Sequence, residues 1–265
     1  MLIALLGEAG FSGFEETGNS LHAYIETGKA DPLLFENIIS LIGVNYSISV
    51  VKEKNWNEQW ESGFNPVTVN HPTTGQPFVH IRAGFHQPNN AVDFDIEVTP
   101  KMSFGTGHHD TTFLMVSQMG ILDMAGKKVI DFGTGTGLLA ILAEKMGATT
   151  VLAIDNDDWS INNAAENITK NNCSHINLLK AETVPEGEKA SVILANINLN
   201  IIISSLQDIR NACTQGANLL FSGILAEDEP VLKHALLNLG FSDLTPVNRN
   251  GWLIIRAKLE APYIN

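Results

Sequence analysis

The sequence has few cysteines and no long apolar run. Its two cysteines, Cys173 and Cys213, have neither paired spacing nor neighbouring histidines of the kind that bind zinc, so free thiols and no metal site are expected. No window approaches the roughly 18 consecutive apolar residues of a membrane span. Residues 1–6 lack the basic flank and cleavage site of a signal peptide. We therefore expect a soluble globular protein of the cytoplasm.

Positive charge is also scarce. The chain has 16 Lys and Arg against 29 Asp and Glu, a formal net charge of −13. This disfavours direct contact with nucleic-acid phosphates, because nucleic-acid binders usually carry a basic surface. A basic partner would be attracted, although acidic surfaces also serve solubility alone. With 265 residues, 44% of them hydrophobic, the chain has room for one large domain and a smaller one.

From about residue 125 onward, strand-like apolar runs alternate with helical patterns. This alternation predicts βαβ units around a parallel sheet, the α/β fold class. Asn250-Gly251 lies between two β-rich runs, and Asn-Gly is a strong hairpin signal, so the sheet should finish with an antiparallel strand. The predicted strands are 128–132, 151–155, 176–180, 192–196, 217–222, 241–247 and 252–257, and the predicted helices are 138–146, 159–171, 201–213 and 229–239.

The residues before position 52 predict a small α+β unit. Asp31-Pro32 pairs an N-cap residue with proline at the first helical position, so a helix should begin there. Residues 52–100 are turn-rich, with 71–77 between two strands, and we interpret them as a structured connection because their aromatic residues need to pack. The unit is predicted to contain a helix at 2–6, strands at 21–25 and 46–51, and a buried helical stripe of Ile38, Ile39, Leu41 and Ile42.

The glycine run at 133–137 (GTGTG) directly follows an apolar run at 129–132. A tight glycine turn lets bare backbone approach a ligand, and the helix after it offers unpaired N–H groups. Asp155 ends the next predicted strand, where a carboxylate can accept two hydrogen bonds from a ribose diol; its alternative role is to cap the following helix. Glu182, after the third strand, is a candidate for the adenine edge, or else a solvated glutamate. The pattern predicts a nucleotide-binding crossover.

The glycine spacing distinguishes between two nucleotides. A dinucleotide fingerprint has its third small residue at position 138, whereas this chain has Leu138 and places Gly137 one residue earlier. G-x-G-x-G resembles motif I of class I S-adenosylmethionine-dependent methyltransferases, which have a Rossmann-like doubly wound sheet. Asp131 fits that interpretation, because a carboxylate binds the ligand's ammonium but repels a pyrophosphate. A dinucleotide, or a glycine loop that serves packing alone, remains an alternative.

Two further segments resemble one family of these enzymes. Residues 102–112 are MSFGTGHHDTT, and residues 195–197 are ANI at the end of the fourth predicted strand. With the glycine loop they resemble the PrmA family, the methyltransferases of ribosomal large-subunit protein eleven, from roughly residue 56 onward. His108 replaces that family's threonine and Asp110 its proline, so the role of His108 is open. The resemblance implies a substrate-recognition domain at 1–51 without the usual first strand, a connection at 52–100 and a catalytic domain at 101–265.

The resemblance implies that Thr112, Gly133, Asp155 and Asn196 bind the donor. Asn196 and the carbonyl of Ala195 or Ile197 are further expected to accept hydrogen bonds from the attacking nitrogen, with capping of the helix near residue 198 as the alternative role of Asn196. His109 is a candidate relay for the released proton, against a purely structural role. The predicted catalytic residues are thus Asn196 and His109, and the predicted cofactor site comprises Phe104, Thr106, Thr112, Asp131, Gly133, Gly135, Gly137, Asp155, Glu182 and Asn196.

The resulting hypothesis is a monomeric S-adenosylmethionine-dependent N-methyltransferase. Its expected substrate is a basic ribosomal large-subunit protein, modified on lysine and α-amino groups, and no nucleic-acid or membrane contact is expected. Two alternatives are a small-molecule methyltransferase with the same cofactor site and a nucleotide-binding module without catalysis. The sequence predicts neither which amines are modified nor how many methyl groups each receives.

Overall fold

The structure is a computed structural model that describes residues 2–18, 20–50, 64–100 and 105–260. The chain divides into two compact units, Met1–Lys54 and Asn55–Asn265. Within the described ranges, no helix is long and apolar enough to cross a bilayer.

The described part of the first unit contains two helices and a hairpin, α1 (Leu2–Glu8), β1 (Gly13–Thr17), β2 (Ser20–Tyr24) and α2 (Pro32–Ile42). β1 and β2 pair antiparallel. Helix α2 begins at the predicted cap, because the Asp31 carboxylate accepts hydrogen bonds from the N–H groups of Leu33 and Leu34 at 3.0 and 3.2 Å. Leu6, Ala9 and Ile38 form a small core between the elements.

Two predictions for this unit are wrong. No strand forms over residues 46–50, and residue 51 lies outside the described residues. A strand needs a partner edge for its backbone groups, and the described part of this unit pairs only β1 with β2. Leu41 is 77% exposed rather than buried. The buried face of α2 instead follows Phe35, Ile38 and Ile42, which are spaced by three and four residues.

The second unit begins with a three-stranded sheet, β3 (Val67–Asn70), β4 (Pro77–Arg82) and β5 (Phe94–Glu97). β3 and β4 pair antiparallel across the predicted turn, and β4 and β5 pair parallel. The buried side chains of this sheet pack into the same core as helix α3 (Asp110–Met119). The small sheet therefore packs against α3.

The main sheet has seven strands, in the order β11-β12-β10-β9-β6-β7-β8. Among the described strands of this sheet, β12 alone runs opposite to the others, and the turn before it has φ 50° at Asn250 and 82° at Gly251, so the predicted hairpin is confirmed. The strands are β6 (Lys128–Phe132), β7 (Thr150–Asp155), β8 (Ile176–Lys180), β9 (Ala190–Asn196), β10 (Cys213–Leu225), β11 (Phe241–Arg249) and β12 (Trp252–Leu259).

Helices cover both faces of this sheet. They are α3, α4 (Leu138–Lys145), α5 (Asp158–Lys170), α6 (Leu199–Ala212) and α7 (Glu229–Asn238). Successive strand residues face opposite cores: Val129 packs with α3 and α4, whereas Ile130 packs with α6 and α7. From β6 the chain proceeds outward to β7 and β8, and then returns to β9 on the other side of β6. A crevice is expected at the carboxyl ends of the strands where the order reverses in this way.

Strand β10 is longer than predicted. It continues through Gly223 to Leu225, with a register shift against β12 between Phe221 and Ile224. Gly223 has φ 86°, and a Cβ there would lie 2.4 Å from the Ile197 carbonyl oxygen. The glycine thus lets the segment after β9 lie directly against β10, and it does not end the strand as the sequence pattern predicts.

Candidate active site

A cavity of about 390 Å³ opens at the carboxyl ends of β6, β7, β8 and β9. Its walls carry the carboxylates of Asp155 and Glu182 and, among the described residues that line it, no Lys or Arg. This arrangement suits a cationic ligand. The lining residues are His109, Phe132, Gly133, Gly135, Ile154, Asp155, Asn156, Ser160, Ala181, Glu182, Asn196, Ile197, Asn198, Ile201, Gly223 and Trp252.

The glycine loop forms one wall of the cavity. The N–H groups of Gly133 and Thr134 both donate to the Ile154 carbonyl oxygen, at 2.8 and 2.9 Å, which fixes the loop against β7. Gly133 has φ 80°, and a Cβ there would lie 2.2 Å from Cγ2 of Ile197. Gly137 has φ 79° and is the N-cap of α4. The loop therefore needs glycine for its backbone conformation and for space beside the cavity.

Asp155 joins the glycine loop to the end of β7. Its Oδ2 accepts a hydrogen bond from the Gly135 N–H at 2.9 Å, and its Oδ1 accepts one from the Asp157 N–H at 3.1 Å. Asp157 is the residue that caps α5, accepting from the Ser160 N–H at 2.9 Å. The alternative role of Asp155 as a helix cap is thus taken by Asp157. Each carboxylate oxygen of Asp155 has a lone pair left for a ligand in the cavity.

Asp131 lies beneath the glycine loop and is fully buried. Its Oδ2 accepts a hydrogen bond from the Thr134 hydroxyl at 2.6 Å, whereas Oδ1 has no partner among the described residues. Burial raises the pKa of Asp131 to about 7, although the Thr134 hydroxyl partly opposes this shift. Asp131 is not among the residues that line the cavity, so its contact with a ligand's ammonium stays a prediction.

Replacement of Asp131 by asparagine is expected to change how stability depends on pH. The carboxyl group has a pKa near 3.9 when unfolded but about 7 when folded, so the folded state binds its proton more tightly. Ionisation therefore destabilises the native protein progressively between these two values. The stability of Asp131→Asn relative to the native protein should be greater at pH 8 than at pH 5, measured by urea unfolding. Asp123→Asn, an exposed control, should show no such change, and an equal pH dependence in both variants would contradict the assignment.

Asn196 ends β9 in the wall of the cavity and is 7% exposed. Its Nδ2 donates to the Thr112 hydroxyl oxygen at 3.3 Å, while its Oδ1 has no partner among the described residues. The alternative role of helix cap belongs to Asn198, whose side chain accepts from the Ile201 N–H at 3.1 Å. Buried acceptors without a partner are rare in folded proteins, so Oδ1 marks a position where a ligand donor fits.

The glycine-rich segment before α3 lies close to the glycine loop. The Thr136 hydroxyl donates to the Gly105 carbonyl oxygen at 2.8 Å. His108 packs edge-on against Phe64, with ring centroids 4.6 Å apart, which gives this residue a packing role. Thr106 and Thr112 do not line the cavity, although Thr112 contacts Asn196. Phe104 lies outside the described residues.

His109 lies in the cavity wall and caps helix α3. Its Nδ1 accepts a hydrogen bond from the Thr111 N–H at 3.3 Å. Its ring contacts Trp252 at a centroid distance of 4.6 Å and an angle of 68°. With Nδ1 accepting, the neutral ring carries its proton on Nε2, which then has no lone pair to receive another. This geometry favours a structural role, and the proton relay stays a prediction.

Several residues of the cavity wall were not singled out from the sequence. Trp252 begins the antiparallel strand β12, so it lies at the same edge of the sheet as the carboxyl ends of the parallel strands. The Asn-Gly turn before Trp252 indicates a hairpin, and could have predicted that Trp252 lies at this edge of the sheet. Ile197 belongs to the segment 195–197 that the sequence indicates, but no local pattern predicts its contact with Gly223, where β10 bulges.

Comparisons with known proteins agree with this architecture. Residues 14–260 match the model of the family described as ribosomal protein L11 methyltransferase (PrmA). The chain is 36% identical to a ribosomal protein L11 methyltransferase of Porphyromonas gingivalis, over 99% of this chain and 91% of the relative. It is 37% identical to the protein of that name from Chlorobaculum parvum, over 96% and 90%.

A solved structure shares the fold. A ribosomal protein L11 methylase from Lactobacillus delbrueckii subsp. bulgaricus superposes with a TM-score of 0.65 at 27% identity, covering 73% of this chain and 99% of that chain. The predicted fold class, a class I methyltransferase with a Rossmann-like sheet, is confirmed. The predicted resemblance is confirmed too, and the chain belongs to the ribosomal protein L11 methyltransferase (PrmA) family.

Proposed function

We propose that this protein transfers methyl groups from S-adenosylmethionine to lysine ε-amino and α-amino groups of ribosomal protein L11. The main support for an amine substrate is the buried Oδ1 of Asn196 in the cavity wall. This acceptor has no hydrogen-bond partner among the described residues. An amine nitrogen has hydrogens to donate to such an acceptor and a lone pair left for attack. The choice of L11 as the protein substrate rests on membership of this family.

S-Adenosylmethionine is the methyl donor of this family, and the residues of the cavity fit it. Because Gly133 has no side chain, a ligand in the cavity can approach its backbone closely. The Asp155 carboxylate can accept hydrogen bonds from the two ribose hydroxyls. The acidic lining, in which the described residues include no Lys or Arg, suits the positive charge of the sulfonium and the ammonium. When bound, the donor supplies an electrophilic methyl group.

The contribution of the protein to the reaction is mainly alignment. Methyl transfer from a sulfonium is an in-line displacement, so a fixed orientation of the amine supplies most of the rate enhancement. Asn196 Oδ1 accepts a hydrogen bond from the amine, and the Thr112 hydroxyl holds the Asn196 carboxamide from the other side. The ammonium group of a lysine has a pKa of about 10.4 in water and must lose a proton before its nitrogen attacks. A cationic donor in the same cavity favours that loss.

Mass spectrometry of purified ribosomal protein L11 tests the proposal. The protein is incubated with L11 and S-adenosylmethionine, and the modified peptides are then sequenced. Mass increments of whole methyl groups on lysine or on the N-terminal amine are the expected result. L11 that stays unmodified, while calorimetry shows binding of the donor, would refute the substrate. Binding of NAD in preference to S-adenosylmethionine would refute the donor and favour a dinucleotide-binding module.

Removal of residues 1–54 separates the leading proposal from a small-molecule methyltransferase. We propose that this unit selects the protein substrate, and it has a small core of its own. The cavity is built from residues of the second unit alone. Methylation of L11 should fall at least about tenfold, while the dissociation constant for S-adenosylmethionine stays within about twofold. Undiminished methylation of L11 by the shortened protein would show that the first unit does not select the substrate.

We also propose that the protein acts in the cytoplasm, as a monomer, without direct contact to nucleic acid or membrane. The net charge of −13 supports a basic ribosomal protein as partner, because opposite charges raise the rate of encounter.

A further inference from the structure

Two segments that lie far apart in the chain meet beside the cavity. His109 ends the loop before α3, and Trp252 follows the tip of the β11–β12 hairpin; both line the cavity and their rings are in contact. Asp110, the next residue after His109, binds the same hairpin. Its Oδ1 accepts a hydrogen bond from Arg249 Nε at 2.6 Å, and Asn250 Nδ2 lies 3.2 Å from both carboxylate oxygens.

The Arg249 side chain is held on two sides. Its guanidinium carbon lies 3.7 Å from the centroid of the Phe113 ring, one helical turn after Asp110. The side chains of Arg249 and Asp110 are 42% and 24% exposed. An ordinary surface ion pair contributes little, because water competes for both charges. Here the aromatic ring and the second donor, Asn250, restrict the arginine and the carboxylate to one arrangement.

This contact is not needed to form the hairpin. Strand β12 already pairs along its length with β10 on one side and β11 on the other. What the Asp110 contacts add is the position of the hairpin tip relative to the start of α3. The first turn of α3 also contains Thr112, whose hydroxyl holds Asn196. One carboxylate therefore links the Trp252 wall of the cavity to the helix that orients Asn196.

We propose that Asp110 is a positioning residue for methyl transfer, which acts by holding Trp252 against the start of α3 in the wall of the cavity. The inference rests on the proposed function of the same site. Asp110 does not line the cavity and makes no contact with the glycine loop among the described residues. Its loss should therefore affect turnover more than donor binding.

The test combines a structural and a kinetic measurement on Asp110→Ala, Arg249→Ala and the double variant. In protein labelled with 5-fluorotryptophan, the Trp252 resonance is identified by its absence from Trp252→Phe. It should shift in Asp110→Ala, whereas the resonance of Trp159, which is 71% exposed on α5, should not. Each single variant should lose about tenfold in kcat with L11, and the double variant no more than a single one, because both remove the same contact.

The matched control is Asp123→Ala, which removes a carboxylate paired with Lys127 at 3.9 Å in the segment that precedes β6. It should leave kcat and the Trp252 resonance unchanged. An unshifted Trp252 resonance in Asp110→Ala, full activity of that variant, or additive losses in the double variant would overturn the proposal. If the native protein does not methylate L11, the proposed function fails; the fluorine resonance still decides whether Asp110 holds Trp252.

Discussion

Asn196→Ala is expected to lower kcat about 100- to 1000-fold, the loss seen when a single positioned hydrogen-bonding group is removed from an active site. The reason is Oδ1, which has no partner among the described residues and is the acceptor available to orient the attacking amine. The donor site should persist, because Asp155 and the glycine loop are held by their own hydrogen bonds. Steady-state kinetics with L11, together with calorimetry of S-adenosylmethionine binding, would measure both effects.

Two further variants make this result specific. Asn156→Ala removes another carboxamide from the cavity wall, on the side of Asp155, and should leave kcat within about threefold. Thr112→Val keeps the Asn196 acceptor but removes the hydroxyl that holds the carboxamide, so an intermediate loss is expected. Equal losses of kcat in Asn156→Ala and Asn196→Ala would show that any substitution in the cavity wall lowers turnover, and that Asn196 has no specific role. Undiminished turnover of Asn196→Ala would refute its role.

The part of the site that could be predicted best from the sequence is the part in which a residue type is required by its own backbone conformation. The glycine loop needs left-handed backbone at Gly133, Gly135 and Gly137, which glycine adopts most easily, so its spacing is visible without a structure. The order of strands and helices was predictable for a similar reason. Parallel strands that are buried on both faces appear in the sequence as continuous apolar runs. In the helices between them, apolar residues recur about every 3.6 positions.

Long-range contacts were not predictable in this way. The Ile197 backbone lies against Gly223 at the bulge of β10, and nothing near residue 223 indicates that neighbour. The attachment of Asp110 to Arg249 and Asn250 likewise joins residues that are 139 and 140 positions apart. The prediction for Leu41 was wrong because apolar residues lie on several faces of α2, and only the elements that pack against it, α1 among them, decide which face is buried.

Gly133→Ala is expected to weaken S-adenosylmethionine binding about 10- to 100-fold, the effect of adding a methyl group to a site without space for it. A Cβ at Gly133 would lie 2.2 Å from Cγ2 of Ile197. Because the β-branched side chain of Ile197 has few rotamers, relief of this contact requires a shift of Ile197, which lines the cavity. Calorimetric titration with S-adenosylmethionine would measure the loss.

Two comparisons separate lack of space from strain in the backbone. Gly187 has φ 89°, and an added Cβ there would meet nothing within 4 Å, so Gly187→Ala carries the cost of a left-handed alanine, about 1–2 kcal/mol of stability, without a collision. Its affinity for the donor should stay native. Adding Ile197→Ala to Gly133→Ala removes the colliding Cγ2, so the affinity of the double variant should approach that of Ile197→Ala alone. If the double variant binds no better than Gly133→Ala, the wall between these two residues does not limit the space for the donor.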